Sequence, residues 1–223
     1  MIPLRDDRPL QSFPIITLLI IAANAFVFIG WQLPQGLNQS VAQAGFVPIE
    51  LTSHASGAWQ HLFLGMFMHG GWMHLIGNMW FLWIFGSSIE DNCGPIRYLI
   101  FYLLCGIAAT LAFTTLAPTS DIPLVGASGA ISGVLGAYLL HHPQARVLAL
   151  IPLGPFMRLM EVRAWFFLLV WIGLQIFYQY LITAAHHRET SGVAYVAHIG
   201  GFIAGMGLIV FFEKGRDTQR RRA

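Results

Sequence analysis

Ala127-Ser128-Gly129-Ala130-Ile131-Ser132-Gly133-Val134-Leu135-Gly136-Ala137-Tyr138-Leu139-Leu140 is an uncharged run of 14 residues, and whether it crosses a membrane decides the fold. A crossing helix needs about 20 apolar residues to span about 30 Å of hydrocarbon, so length alone points to a re-entrant segment. Charge decides otherwise. Five further apolar segments cover 13–31, 72–88, 98–117, 164–185 and 192–212. With six crossings and the N-terminus inside, the cytoplasmic segments collect Arg5, Arg8, Arg97, Arg146, Arg158, Arg163 and the cluster Lys214, Arg216, Arg220, Arg221 and Arg222. That is eleven of the 12 Lys and Arg residues, and only Arg188 is left outside. A re-entrant fourth segment would export the C-terminal cluster, against the positive-inside rule. The segment therefore spans. The expected fold class is an all-α membrane protein of six transmembrane helices with both termini cytoplasmic. A single membrane domain fills 1–223, with a short tail at 1–12 and a basic tail at 213–223.

Composition agrees. Hydrophobic residues make up 56% of the chain and charged ones 10%, against about 25% charged in an average soluble domain. The lipid bilayer is the expected surroundings, and no appended soluble domain is expected. The net charge of +2 is small, and the terminal basic cluster is too isolated to imply a nucleic-acid partner. Cys93, in a loop expected on the cytoplasmic side, and Cys105, inside a span, do not make a disulfide framework; both read as structural. Arg5 and Arg8 ahead of an apolar run suggest a signal peptide. The run of about 19 residues exceeds the ~7–15 of a signal core, so it is expected to remain as a span. The stretch 33–68 lacks Lys and Arg but holds Trp59, Phe63, Leu64 and Phe67; it is expected to fold on or partly into the outer leaflet.

Three polar marks lie near segment ends that this topology places outside. They are Gly126-Ala127-Ser128-Gly129, His198 within Ala197-His198-Ile199-Gly200-Gly201, and His74 with Asn78. Ionisable groups within spans are costly and usually functional. His198 and Asn78 each lie six residues into their segments, about 9 Å deep at ~1.5 Å per residue. The short fourth segment recesses Ser128 by a similar depth. Glycines 126, 129, 133 and 136, and the stripe Ala197, Gly201 and Gly205, let the fourth and sixth backbones approach closely. Serine needs a base to take its proton, and histidine serves near neutral pH. Ser128 also starts a helix, whose free N–H groups favour a developing oxyanion. His74 and Asn78, four apart on one helix face, can donate to the same oxygen. Singly these marks are weak: a serine in a Gly/Ala-rich helix is most often packing. The His141-His142 and His186-His187 pairs read as interfacial, and Trp72, Trp80 and Trp83 as belt or packing. The combination implies a serine hydrolase built inside a membrane. No metal is expected, because no acidic residue lies inside a span and His-only sites are the less common arrangement. No cofactor is implied.

Met68-His69-Gly70-Gly71-Trp72-Met73-His74-Leu75-Ile76-Gly77-Asn78-Met79 resembles the second-span signature of the rhomboid intramembrane serine proteases. Gly126-Ala127-Ser128-Gly129-Ala130 resembles that family's nucleophile segment, and Ala197-His198-Ile199-Gly200-Gly201 the segment holding its base. The resemblance extends from Phe46-Val47-Pro48 to the sixth segment. It implies a six-helix rhomboid-like bundle that cleaves transmembrane protein substrates with a Ser-His dyad and no third carboxylate. Ser128 would be the nucleophile and His198 the general base. His74, Asn78 and the Ser128 backbone N–H would form the oxyanion hole, with His69 and Gly126 in support. The expected setting is a bacterial inner membrane, with the site opening to the extracytoplasmic side. The alternative is a catalytically silent relative that binds and sorts membrane proteins. Such relatives lose the serine or the histidine, and this chain keeps both. Two positions depart from the family pattern. Trp59 is followed by Gln60 where the family often has Trp-Arg, and Ser132 stands where some relatives place a Tyr that stacks on the base. Support for His198 is therefore expected from other packing.

Overall fold

The computed structural model describes residues 1–153, 156–184 and 194–214. The His186-His187 pair, Arg188 and the basic residues Arg216 to Arg222 lie outside the described residues. What is described is mostly helical. Three helices are long and apolar enough to cross a membrane: Ile15–Gln35, Pro95–Leu116 and Ala164–Ala184. The polar marks sit on shorter ones. Ser128–His141 is the serine helix. Tyr195–Leu208 is the histidine helix, extended by a 3-10 turn at Ile209–Phe211. Trp72–Phe81 continues through a π turn at Leu82–Gly86 into Ser87–Cys93. Each of the six apolar stretches of the sequence overlaps one of these helices.

The serine helix is the centre of the bundle, buried at every residue from Ala130 to Tyr138. It packs most extensively against the histidine helix, and small residues are the reason. A methyl group on Gly201 would collide with the Gly129 carbonyl, one on Gly205 with the Gly133 carbonyl, and one on Gly136 with the Phe202 carbonyl. The two small-residue stripes thus face each other with backbones in contact, the close approach that replaces hydrophobic drive between helices in lipid. Gly129 and Gly133 also abut Ala109 and Cys105 of Pro95–Leu116. Both cysteines are buried and free, and Cys93 closes a helix instead of lying in a loop. Ala164–Ala184 is held most loosely, with only Ala164, Phe167 and Leu168 buried.

The all-α expectation needs one correction. Strands β1 (Ile2–Asp6), β2 (Arg146–Leu153) and β3 (Phe156–Arg163) form an antiparallel sheet in the order β1-β2-β3. In β2, Val147 and Ala149 are fully buried while Leu148 and Leu150 are less so, the two-residue period of a strand with one covered face. Arginines at 146, 158 and 163 mark this stretch in the sequence only as a connection between apolar segments, and β1 pairs with it from near the N-terminus.

Polar contacts close the end of the bundle away from Ser128. Asp6 accepts hydrogen bonds from Ser88 Oγ (2.9 Å) and Tyr138 OH (2.7 Å), pinning β1 to the serine helix. His142 is buried and lies 2.7 Å from Asn92 Nδ2, so its ring packs inside the bundle. His141 is 3.3 Å from Glu213. Glu90 accepts from the Ile16 and Thr17 N–H groups and the Thr17 hydroxyl. It thereby satisfies donors at a helix start where Pro14 offers no side-chain cap.

At the other end, the region after Gln35 folds into short helices, Leu37–Ala44, Pro48–Thr52 and Ala58–Gly65. Phe46 is buried and bridges Leu124, and the Gly126 N–H donates to the Gly65 carbonyl at 2.8 Å. This region therefore braces the segment leading into Ser128. Trp59 is exposed, and a His61–Glu50 contact of 2.9 Å clips the loop that lacks the Trp-Arg pair.

Candidate active site

Ser128 is the first residue of its helix, so its N–H has no carbonyl one turn back to bond. His198 sits in the first turn of the histidine helix, and the Gly201–Gly129 backbone contact lies one turn further along. That contact sets the spacing above it: His198 Nε2 is 2.8 Å from Ser128 Oγ. The structure brings together the serine and histidine that the sequence singled out.

What supports His198 comes from a third helix. Its Nδ1 lies 2.9 Å from Gln175 Oε1, and the Trp171 ring faces it at 5.9 Å and 34°. Trp171 also stacks on Phe202 of the histidine helix, and Tyr195 presents an edge to the imidazole. Gln175 was missed in the sequence. The available signal was slight: Gln175 is one of two amides in this span, with Gln179, and lies one turn after Trp171.

His74 and Asn78 line the same cleft as Ser128 and His198, an opening of about 770 Å³ that also touches Trp171 and Phe81. The Gly70 N–H donates to His74 Nδ1 at 3.3 Å. In a neutral ring with Nδ1 accepting, Nε2 carries the proton, and Nε2 is the atom nearest Gly126. A Cβ at Gly126 would stand 2.8 Å from His74 Nε2 and 3.6 Å from Ser128 Oγ, and its φ of +127° excludes ordinary side chains as well. Only glycine fits there. Asn78 Nδ2 is buried without a protein partner. His69 is fully buried beside His74, ring centroids 5.0 Å apart, and neither of its ring nitrogens has a protein partner. Gln32 holds the His69 backbone from both sides, accepting from its N–H at 2.8 Å and donating to its carbonyl at 3.1 Å. Ser132, the position without an aromatic, turns its hydroxyl back to the Ser128 carbonyl at 2.6 Å. Among the described residues no group of three or more His, Cys, Asp or Glu could hold a metal ion.

Residues 55–214 match the Rhomboid domain family. Rhomboid protease GluP of Bacillus subtilis (strain 168) is 30% identical over 86% of this chain and 34% of its own length. Rhomboid-like protein 11, chloroplastic, of Arabidopsis thaliana is 29% identical over 72% of this chain and 55% of that protein. Rhomboid protein 1, mitochondrial, of Saccharomyces cerevisiae is 26% identical over 91% of this chain and 55% of that protein. The chain thus spans between a third and a little over half the length of these relatives. With a family match that takes in the serine, both site histidines and Asn78, this integral membrane protein belongs to the rhomboid family.

Proposed function

We propose that this protein is an intramembrane serine endopeptidase that hydrolyses peptide bonds in or near the transmembrane segments of membrane-protein substrates. The observation that carries the reading is the 2.8 Å contact between Ser128 Oγ and His198 Nε2 in a cleft that also holds unpaired donors. In this reading Ser128 Oγ attacks the scissile carbonyl carbon as His198 Nε2 takes its proton. Asn78 Nδ2, the Ser128 N–H and His74 Nε2 donate to the oxyanion. His198 then gives the proton to the leaving amine, and a water activated by His198 releases the acyl group from Ser128. His69 and Gly126 support His74, one by packing on its ring and the other by leaving room for it. A substrate would present an extended, small-residue stretch to the cleft.

The same reading places six crossings and both cytoplasmic termini around one membrane domain filling 1–223. The site would open to the extracytoplasmic side of a bacterial inner membrane. The charge distribution supports this orientation. The test is cleavage of a single-pass test substrate by purified protein in lipid. Wild type should cut, and Ser128→Ala and His198→Ala should each lose on the order of 10⁴-fold or more while accumulating normally in the membrane. Turnover by Ser128→Ala at the parental rate would sink the dyad. Substrate that binds wild type yet is never cut would favour a silent binding and sorting factor.

A further inference from the structure

Nε2 of His198 can take the serine proton only if the ring's own proton sits on Nδ1. Nothing on the serine or histidine helix enforces that: Ser132 turns back to its own helix, and Tyr195 offers only a ring edge. We propose that Gln175 is the positioning residue for His198, fixing the Nδ1–H tautomer and the ring plane from the neighbouring helix. This proposal rests on the hydrolase reading for its consequence, but not for its geometry.

The decisive question is which end of the amide faces the imidazole. An amide has an accepting and a donating end, and the donating end against Nδ1 would select the wrong tautomer. Gln175 answers through its other contact: Nε2 lies 3.2 Å from the Trp171 carbonyl oxygen, which can only accept. The oxygen is therefore the end held 2.9 Å from His198 Nδ1. Nδ1 must donate, and the Nε2 lone pair is left aimed at Ser128 Oγ. The Trp171 indole, one turn earlier on the same helix, lies over the ring and limits its rotation. One helical turn thus supplies both constraints, the acceptor and the ring face.

A neutral amide orients the base without adding a charge, unlike the carboxylate of soluble triads. The arrangement also ties the base to Ala164–Ala184, the helix with the fewest buried residues relative to its length among the long helices. His198 is held in its working tautomer only while that helix is docked.

The test compares Gln175→Leu, which keeps the bulk without an acceptor, with Gln175→Asn, which is one methylene too short, and Gln175→Glu, which retains an acceptor. The first readout does not depend on activity: ¹⁵N spectra of the His198 ring in lipid. Wild type should show a single Nδ1–H tautomer, and Gln175→Leu and Gln175→Asn a mixture. The second readout is kinetic. Leu and Asn should lower kcat about 10-fold with KM changed less than about twofold and melting temperature near the parental value. Glu should keep cutting, with the acid limb of its kcat/KM profile moved to higher pH, because a carboxylate beside the ring favours imidazolium. A wild-type ring protonated on Nε2, or a tautomer unchanged in Gln175→Leu, would overturn the proposal. So would activity losses in all three variants that track their melting temperatures. Absence of cutting by wild type would count against the hydrolase reading alone, since the spectra still decide the role of Gln175.

Discussion

The two ends of the serine helix are built to opposite rules. At the His142 end, polar groups close on one another: His142 on Asn92, and Tyr138 and Ser88 on Asp6. At the Ser128 end, Asn78 Nδ2 is buried with no protein partner, and the proton-bearing nitrogen of His74 points toward Gly126 beside an open cleft. Leaving a buried donor unpaired costs about 1–3 kcal/mol, a cost that the groups paired around Asp6 and Asn92 avoid. Buried polar residues at helix ends are thus of two kinds. Those with closed contacts hold the bundle, and in the proposed reading the open valences that line the cleft serve a ligand or a transition state.

The sharpest way to break this comparison is at Asn78. As an oxyanion donor it should matter in the transition state, and losing one such donor typically costs ~2.7–4 kcal/mol, or about 10²–10³ in kcat. The effect here should fall toward the lower end, because His74 and the Ser128 N–H share the oxygen. Asn78→Ala should melt no earlier than wild type, since it removes an unpaired buried group. A variant that melts earlier but turns over at the parental rate would put Asn78 with the closed end.

The closed end should respond in stability and not in rate. Burial first, then the charges of Arg8 and His141, lowers the pKa of His142 to about 4 from its ordinary 6.5. The folded state therefore favours the neutral ring. The stability this contributes is complete above about pH 6.5 and is lost as pH falls toward 4, amounting to at most ~3 kcal/mol. His142→Gln keeps a group able to bond Asn92 but cannot titrate, so its melting temperature should fall less between pH 7.5 and 4.5 than that of wild type. Its kcat at pH 7.5 should be unchanged. Equal acid losses in both proteins would remove His142 as the source.

Much of this was legible in the sequence, for physical reasons. The run at 127–140 marks the serine helix to within a residue, because an uncharged, glycine-spaced stretch lets neighbouring helix backbones approach closely. The stripe of Ala197, Gly201 and Gly205 declared which face of the histidine helix meets it. What stayed hidden depends on distant partners. Gln175 shares its mostly apolar helix with a second amide, Gln179, and its meaning lies in the atoms 2.9 and 3.2 Å from its two ends. The sheet required β1 to find β2 across nearly 150 positions, with Ile2 opposite Leu150. Likewise, the His141-His142 pair gives no sign of the Asn92 amide that packs against His142.

The central claim is that Ser128 is a nucleophile activated by His198, and covalent labelling tests it most directly. Detergent-solubilised protein is incubated with a fluorophosphonate probe, and the modified residue is read by mass spectrometry. The account predicts labelling of wild type at Ser128, none of Ser128→Ala, and much slower labelling of His198→Ala. Equal labelling of Ser128→Ala, or modification of wild type at a different serine, would contradict it.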